Sequence, residues 1–97
     1  MPLTYLVCFD IENDKIRRKL GNALLACGRR VQYSVFEIRV LTDSQLAELK
    51  SKLTEIMEAS ENPDDDIRFY YLNSTTLARS STLENEPVGH FPSATIL

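Results

Sequence analysis

Three stretches of the chain have the hydrophobic pattern of β-strands. Residues 3–9 are apolar on both alternating faces, with Val7 on one face and Cys8 on the other. A strand that is covered on both sides has this pattern. Residues 29–40 and 67–72 are rich in β-branched and aromatic side chains, which favour extended structure.

Two segments with a helical period lie between these strands. The apolar stripe of the first consists of Ile16, Leu20, Ala23, Leu24 and Cys27. Asn13 or Asp14 can cap this helix, and Gly28 suits the left-handed position that ends it. The second helix begins with a capping box at residues 42–45. Its apolar stripe consists of Leu46, Leu49, Leu53, Ile56 and Met57.

The predicted order of elements is β-α-β(β)-α-β, because the stretch 29–40 is either one long strand or two short ones. Tyr33-Ser34 at its centre is a poor hairpin turn, since tight turns favour Asn-Gly. Two short strands would give an α+β, ferredoxin-like βαββαβ fold with two helices on one face of an antiparallel sheet. The first strand is apolar on its second face too, so we expect a homodimer that covers that face.

The chain after residue 72 differs in character from the part before it. Proline and acidic residues in the segment 61–66 end the second helix in a loop. Residues 73–87 are polar and predict an irregular, mobile linker, with a short strand near 93–97. We therefore divide the chain into a ferredoxin-like domain at 1–72 and a C-terminal tail at 73–97.

Composition excludes several classes of protein. The two cysteines, Cys8 and Cys27, lack a metal-ligand spacing, and His90 is the only histidine, so a zinc site is not expected. Both cysteines are interpreted as buried, small apolar residues. No basic, apolar leader opens the chain, and no apolar run reaches the roughly 20 residues that span a membrane, so we expect a cytoplasmic protein without membrane contact.

Charge is distributed unevenly along a chain whose net charge is −3. Residues 1–41 carry +3 and residues 42–97 carry −6. Four arginines of the first part are candidate ligands for nucleic-acid phosphates: Arg17, Arg18, Arg29 and Arg30. Local potential governs the binding of phosphate, so an acidic total does not exclude it. The alternative is an ordinary solvated helix face and hairpin edge.

Asp10 is the candidate for chemistry at the end of the first strand. Strand alternation places it on the same face as Cys8, the face assigned to a dimer contact. Two copies of Asp10 that face each other across a two-fold axis repel unless a proton or a cation lies between them. A magnesium ion suits such oxygen ligands and can activate water against a phosphodiester. The alternative is that Asp10 only begins a turn.

The segments YLVCFDIENDKIRRKL and GRRVQYSVFEIRV resemble the CRISPR-associated Cas-two family, the small endonuclease-like partner of the CRISPR integrase. In that family an aspartate at the end of the first strand precedes a basic helix, and a motif of the form G-x-R-V-Q-x-S-V-F-E follows. Both features occur here, at Asp10 and at residues 28–37, and the resemblance covers about residues 3–72.

The resemblance implies a ferredoxin-like homodimer in which each Asp10 is catalytic and binds a shared Mg²⁺ ion. It also implies two short strands around Tyr33-Ser34, and a site cleft lined by Ser34 and Phe36. In that family a C-terminal strand often pairs with the partner protomer, which implies such an exchange for the tail at 73–97. It implies a protein of CRISPR spacer acquisition that binds double-stranded DNA or single-stranded RNA and bridges the integrase complex.

Two functions from different classes remain open. In the first, the protein is a magnesium-dependent endonuclease with Asp10 as its metal ligand. In the second, it is a non-catalytic scaffold whose arginines hold the DNA of an incoming spacer. One carboxylate per chain is a small set of ligands for hydrolysis, whereas a basic helix is sufficient to bind a phosphate backbone.

Overall fold

The computed structural model describes residues 2–89. Helices and strands follow one another in the order β1 (Leu3–Asp10), α1 (Asp14–Leu25), β2 (Gly28–Gln32), β3 (Val35–Val40), α2 (Asp43–Met57), β4 (Asp66–Leu72) and α3 (Ser74–Ala78). The first six elements have the βαββαβ order of the ferredoxin-like fold, as predicted.

The first strand, β1, lies inside a four-stranded antiparallel sheet with the order β2-β3-β1-β4. It is hydrogen-bonded to β3 on one side and to β4 on the other, and the β4 register ends with Asp10 opposite Asp66. Its two faces are covered unequally: Val7 and Phe9 are buried on the helix side, whereas Leu6 and Cys8 on the second face are only half-buried.

The stretch 29–40 forms two strands joined by Tyr33 and Ser34, as the family resemblance implied. The register between β2 and β3 shifts between Arg30 and Gln32. Such a shift increases the local twist of the two strands. In tight hairpins the matching twist usually comes from an Asn-Gly turn, which is not present here. The Ser34 carbonyl also accepts a hydrogen bond from the Phe9 N–H at 3.0 Å, which ties the turn to β1.

Helices α1 and α2 begin at the predicted caps. The Asn13 side chain accepts a hydrogen bond from the Ile16 N–H. Thr42 accepts one from the Gln45 N–H, and the Gln45 side chain accepts one in turn from the Leu41 N–H at 2.7 Å. These reciprocal bonds satisfy backbone donors that have no partner inside a helix.

The core lies between these helices and one face of the sheet. Its fully buried side chains include Val7, Leu20, Leu24, Phe36 and Ile38, each with 0% of its surface exposed. The predicted stripe of α1 is buried throughout. In α2 only Leu46 and Leu53 are buried, and the rest of the stripe packs partly buried against the core.

Gly28 does not end α1 in a left-handed conformation, so that prediction is wrong. Helix α1 ends at Leu25 with Ala26 in a right-handed conformation, and Gly28 is the first residue of β2. A Cβ atom at Gly28 would overlap the carbonyl oxygen of Glu37 and lie 2.7 Å from the Ile38 Cα atom. Glycine is required there because two strand backbones approach each other closely.

The segment 73–87, predicted to be a mobile linker, contains regular structure. The Asn73 side chain caps the short helix α3, and a β-bridge joins Ser81 to Pro87. Further along, the Gly89 N–H donates a hydrogen bond to a carboxylate oxygen of Glu37 at 3.2 Å. This contact spans 52 residues, so no local pattern could have predicted it.

The segment 73–89 returns to the second face of the sheet, the face opposite the helices. The backbone of Gly89 lies close to the side chains of Leu77 and Thr4, and Thr4 is 4% exposed. The predicted strand near 93–97 lies outside the described residues, and its exchange with a second copy stays a prediction, as does the domain boundary at 72. Within residues 2–89 no helix is long and apolar enough to span a membrane.

We predict that Gly28→Ala lowers the free energy of unfolding by about 1–3 kcal/mol, the usual cost of forcing extra atoms into a packed site. The added methyl group meets backbone atoms of β3, which cannot move away without disrupting the sheet. Urea denaturation measures the change.

Gly21→Ala is the matched control. The nearest obstacle to its Cβ atom is the end of the flexible Arg30 side chain at 2.7 Å, and alanine favours a helix by about 1 kcal/mol. We expect unchanged or higher stability. Equal losses in the two variants would contradict the assignment of Gly28 to a close backbone contact.

Candidate nucleic-acid and metal site

The alternation of β1 separates the candidate site residues onto two faces of the sheet. Phe9 is buried on the helix side, whereas Asp10 is exposed at the end of the strand. Asp10 lies on the second face together with its register partner Asp66. The candidate metal ligand and the buried aromatic core are therefore adjacent in sequence but on opposite faces of the sheet.

The surroundings of Asp10 are open and rich in carboxylates. A cavity of about 410 Å³ is lined by Cys8, Phe9, Asp10, Asp64, Asp66, Arg68 and Tyr70. We call it the aspartate cavity. Arg68 donates a hydrogen bond to Asp66 at 2.7 Å, and this bond raises the pKa of the Arg68 guanidinium. The Asp10 side chain makes no hydrogen bond or ion pair with any residue between 2 and 89, so its carboxylate oxygens are available to a ligand.

Within the described part of the chain, no three histidine, cysteine or acidic side chains form a group that could hold a metal ion. Asp66 is paired with Arg68, whereas the carboxylates of Asp10 and Asp64, which line the same cavity, have no cationic partner among the described residues. A metal site that Asp10 shares with a second molecule stays a prediction.

A second cavity, of about 390 Å³, lies on the helix side of the sheet. It is lined by Phe9, Asp14, Arg17, Arg18, Arg30 and Tyr33. We call it the arginine cleft. Three of the four arginines predicted to bind nucleic acid line it, and Phe9 lines both this cleft and the aspartate cavity. The two cavities are therefore neighbours at the same end of β1.

Arg17 is largely committed to the structure of the loop before α1. Its guanidinium donates hydrogen bonds to the carbonyl oxygens of Ile11 at 2.6 Å and Glu12 at 2.7 Å. It also pairs with the Asp14 carboxylate, and only 22% of its side chain is exposed. These contacts occupy most of the donors that a phosphate would use.

Arg18 and Arg30 are exposed and have their charge available at the cleft. Arg18 makes no hydrogen bond or ion pair within residues 2–89. The Arg30 guanidinium lies 5.0 Å from the centre of the Phe36 ring. Stacking on an aromatic face fixes the direction of a guanidinium without using its hydrogen-bond donors.

Arg29 does not extend the same basic surface, contrary to the sequence prediction. Its register partner is Glu37, and its guanidinium pairs with the Glu37 carboxylate at 3.0 Å on the second face of the sheet. Arg30 follows it in β2 and therefore points to the helix side. Adjacent strand residues always point to opposite faces, a consequence that the sequence prediction overlooked.

Ser34 and Phe36 differ in their access to the cleft. Phe36 has no exposed surface and stacks on Phe9 at 5.8 Å between ring centres, so it is a core residue and the expectation that it lines an open cleft is wrong. Ser34 is half-buried in the turn after β2, and its role in a cleft stays a prediction.

The two cysteines are not equivalent. Cys27 is buried, and desolvation raises the pKa of its thiol to about 11, so the thiol stays neutral in the core. This confirms its interpretation as a small apolar residue. Cys8 is only half-buried and lines the aspartate cavity, so full burial was a wrong expectation for it.

Three residues at these cavities were not among the predicted site residues. Asp66 and Arg68 lie beside Asp10 because β4 runs antiparallel to β1 and begins where β1 ends. An antiparallel pairing of β4 with β1, assigned from the sequence, would have placed both residues beside Asp10. Tyr33 was treated only as an unfavourable turn residue, although an exposed aromatic side chain beside arginines is itself a signal for nucleic-acid binding.

The fold and these two cavities define a small ferredoxin-like protein with a basic cleft and an exposed carboxylate at one end of its central strand. The family model of the CRISPR associated protein Cas2 matches residues 3–80. This chain therefore belongs to the Cas2 family.

Individual relatives extend the match to nearly the whole chain. CRISPR-associated endoribonuclease Cas2 3 of Synechocystis sp. is 36% identical over 93 residues, which are 96% of this chain and 97% of that protein. CRISPR-associated endoribonuclease Cas2 of Thermus thermophilus is 36% identical over 85 residues, with 87% and 85% of the two chains covered.

Solved structures agree with this assignment. A chain of a partial Cas6-RT-Cas1–Cas2 complex superposes with a TM-score of 0.82 at 38% identity, and the match covers 95% of this chain and 96% of that one. Streptococcus pyogenes Cas2 superposes with a TM-score of 0.67 at 32% identity, with 82% and 98% covered.

We predict that Arg17→Ala lowers the free energy of unfolding by about 1–2 kcal/mol, because two backbone carbonyls lose charge-assisted hydrogen bonds. Arg18→Ala removes the same charge from the next residue and should change stability by less than about 0.5 kcal/mol. Urea denaturation of both variants measures the difference. Equal effects would show that Arg17 is not a structural residue.

Proposed function

We propose that this protein acts in CRISPR adaptation as a homodimer that binds nucleic acid and bridges the integrase, Cas1. Support comes from the likeness, over nearly the full length of both chains, to a chain solved in a complex that contains Cas1 and Cas2. The exposed carboxylate of Asp10 and the neighbouring arginine cleft supply the chemistry for contact with phosphodiesters.

We further propose that the dimer is a magnesium-dependent endonuclease acting on RNA or DNA. The curated relatives are named endoribonucleases, which supports the choice of reaction class. Asp10 fits the role of metal ligand because Mg²⁺ prefers oxygen donors and this carboxylate has no competing partner among the described residues. Bound Mg²⁺ would supply an activated water and offset charge on the phosphate.

The proposal includes a second copy because the described residues of one chain contain no group of three potential metal ligands, and a second Asp10 would add a carboxylate. The Asp10 end of the second face is open, with Arg68 and Tyr70 exposed beside it, whereas the Thr4 end is covered by residues of the chain's own tail. Two copies that meet at the open end would bring their Asp10 side chains together. Repulsion between them would be relieved by a shared cation.

A scaffold without catalysis is the second candidate, and one observation favours it. Arg18 and Arg30, which have no acidic partner among the described residues, lie in the arginine cleft, whereas Arg68, the exposed cation beside Asp10, is paired with Asp66. Binding of a phosphate backbone needs these cations only, whereas hydrolysis needs a metal site that a single chain does not complete. The nuclease assay below separates the two candidates.

We predict that Asp10→Asn lowers magnesium-dependent cleavage of single-stranded RNA or double-stranded DNA by at least about 100-fold, the scale of losing one transition-state stabiliser. The substitution is nearly isosteric at an exposed position, so fold and dimer should persist. In metal-free buffer the variant should melt at the same or a higher temperature, because a carboxylate repulsion is removed. Magnesium should stabilise the wild type more than the variant.

Glu48→Gln on the exposed face of α2 is the control for loss of one negative charge. It should cleave and melt as the wild type does, with and without a chelator. Wild-type protein that binds nucleic acid without cleaving it in magnesium would reject the nuclease and favour the scaffold. Equal magnesium responses in wild type and Asp10→Asn would reject the shared ion.

A further inference from the structure

Tyr33 is an exposed aromatic side chain whose position the folding of the chain does not explain. It lies in the two-residue turn between β2 and β3, with 65% of its surface exposed, more than Tyr70 at 47% or Tyr71 at 55%. A turn of this kind favours small or polar residues, and an exposed ring contributes little to the core. Its location at the rim of the arginine cleft suggests a role in binding.

One side of the Tyr33 ring is held next to a positive charge. The Arg17 guanidinium lies 5.8 Å from the ring centre. That guanidinium is itself fixed by the carbonyl oxygens of Ile11 and Glu12. Arg17 therefore positions the ring, and the exposed fraction of the ring leaves aromatic surface open to a ligand.

The remaining cations of the cleft suit a phosphate. Arg18 is free of partners within residues 2–89, and Arg30 is directed by its contact with the Phe36 ring. Asp14, the one acidic residue that lines the cleft, is paired with Arg17. An open aromatic ring beside available guanidinium groups is the combination by which proteins bind single-stranded nucleic acid, through base stacking and backbone contacts.

We propose that Tyr33 stacks on the base of one unpaired nucleotide while Arg18 and Arg30 bind an adjacent phosphate. This inference rests on the proposed function in that it assumes nucleic-acid binding, but it does not require cleavage. Bases inside a duplex already stack on their neighbours, so Tyr33 favours a single strand or an unpaired end. Phe9 lines both the arginine cleft and the aspartate cavity, so the nucleotide binds at the same end of β1 as Asp10 but on the other face of the sheet.

The experiment compares two fluorescent single strands of about 15 nucleotides, within the length that a single-stranded site covers. One carries bases throughout, and the other has abasic sugars at every position. Binding is measured with a chelator present, so that cleavage does not contribute. The proteins are wild type, Tyr33→Ala and Tyr33→Phe, with Tyr71→Ala as control because Tyr71 is similarly exposed but lies on β4 at the other edge of the sheet.

We expect Tyr33→Ala to weaken binding of the strand with bases by roughly five- to 100-fold, the range of a base–aromatic stack. Its affinity for the abasic strand and for a blunt duplex should stay at the wild-type value. Tyr33→Phe keeps the ring and should bind as the wild type does. Tyr71→Ala should match the wild type on all ligands.

Three results would overturn the proposal. In the first, Tyr33→Ala and wild type bind the strand with bases equally. In the second, Tyr33→Ala lowers the affinity for the strand with bases and for the abasic strand by the same factor. Alternatively, Tyr33→Ala would weaken self-association in sedimentation while binding stays unchanged, which would assign the ring to a protein interface. If the wild type binds neither single strand nor duplex, nucleic-acid binding as a whole is rejected. That result differs from a failure of the Tyr33 proposal alone, in which the wild type still binds.

Discussion

The alternation of side chains along β1, held between β3 and β4, is the constraint on which the rest of the structure depends. Hydrogen bonds to both neighbours fix the register of this strand, so each residue has one possible face. Phe9 enters the core on the helix side, and Asp10 points to the second face. A shift by one residue would expose the ring of Phe9 and bury the carboxylate of Asp10 under the helices.

The same rule acts on β2 and separates two neighbouring arginines by function. Arg29 neutralises Glu37, a carboxylate that is only 6% exposed and also accepts the Gly89 N–H. Arg30 reaches the other side and joins Arg18 at the arginine cleft. An acidic protein therefore presents a basic surface at one place, because some of its cations are consumed by structural pairs and others are left free.

Patterns within single elements predicted most of the fold. The apolar stripes, the caps at Asn13 and Thr42 and the position of Asp10 at the end of β1 on the second face all follow from local sequence patterns. The misses involve distant contacts. Gly28 is required by the Glu37 backbone, and residues 73–89 are organised by contacts with Thr4 and Glu37. At the site, Arg17 could not be recognised as structural, because its partners are carbonyl oxygens that no sequence pattern marks.

The central claim is that nucleic acid binds on the helix side of the sheet. Arg29 and Arg30 allow a direct test, because they are adjacent and carry the same charge but lie on opposite faces of the sheet. The measurement is the salt dependence of single-strand binding by Arg29→Gln and Arg30→Gln, in chelator, with folding checked by circular dichroism. For Arg30→Gln we predict weaker binding and a salt slope lower by about one unit, the loss of one phosphate contact. Arg29→Gln should keep the wild-type slope. A lower salt slope for Arg29→Gln with an unchanged slope for Arg30→Gln, or equal changes in both variants, would contradict binding on the helix side.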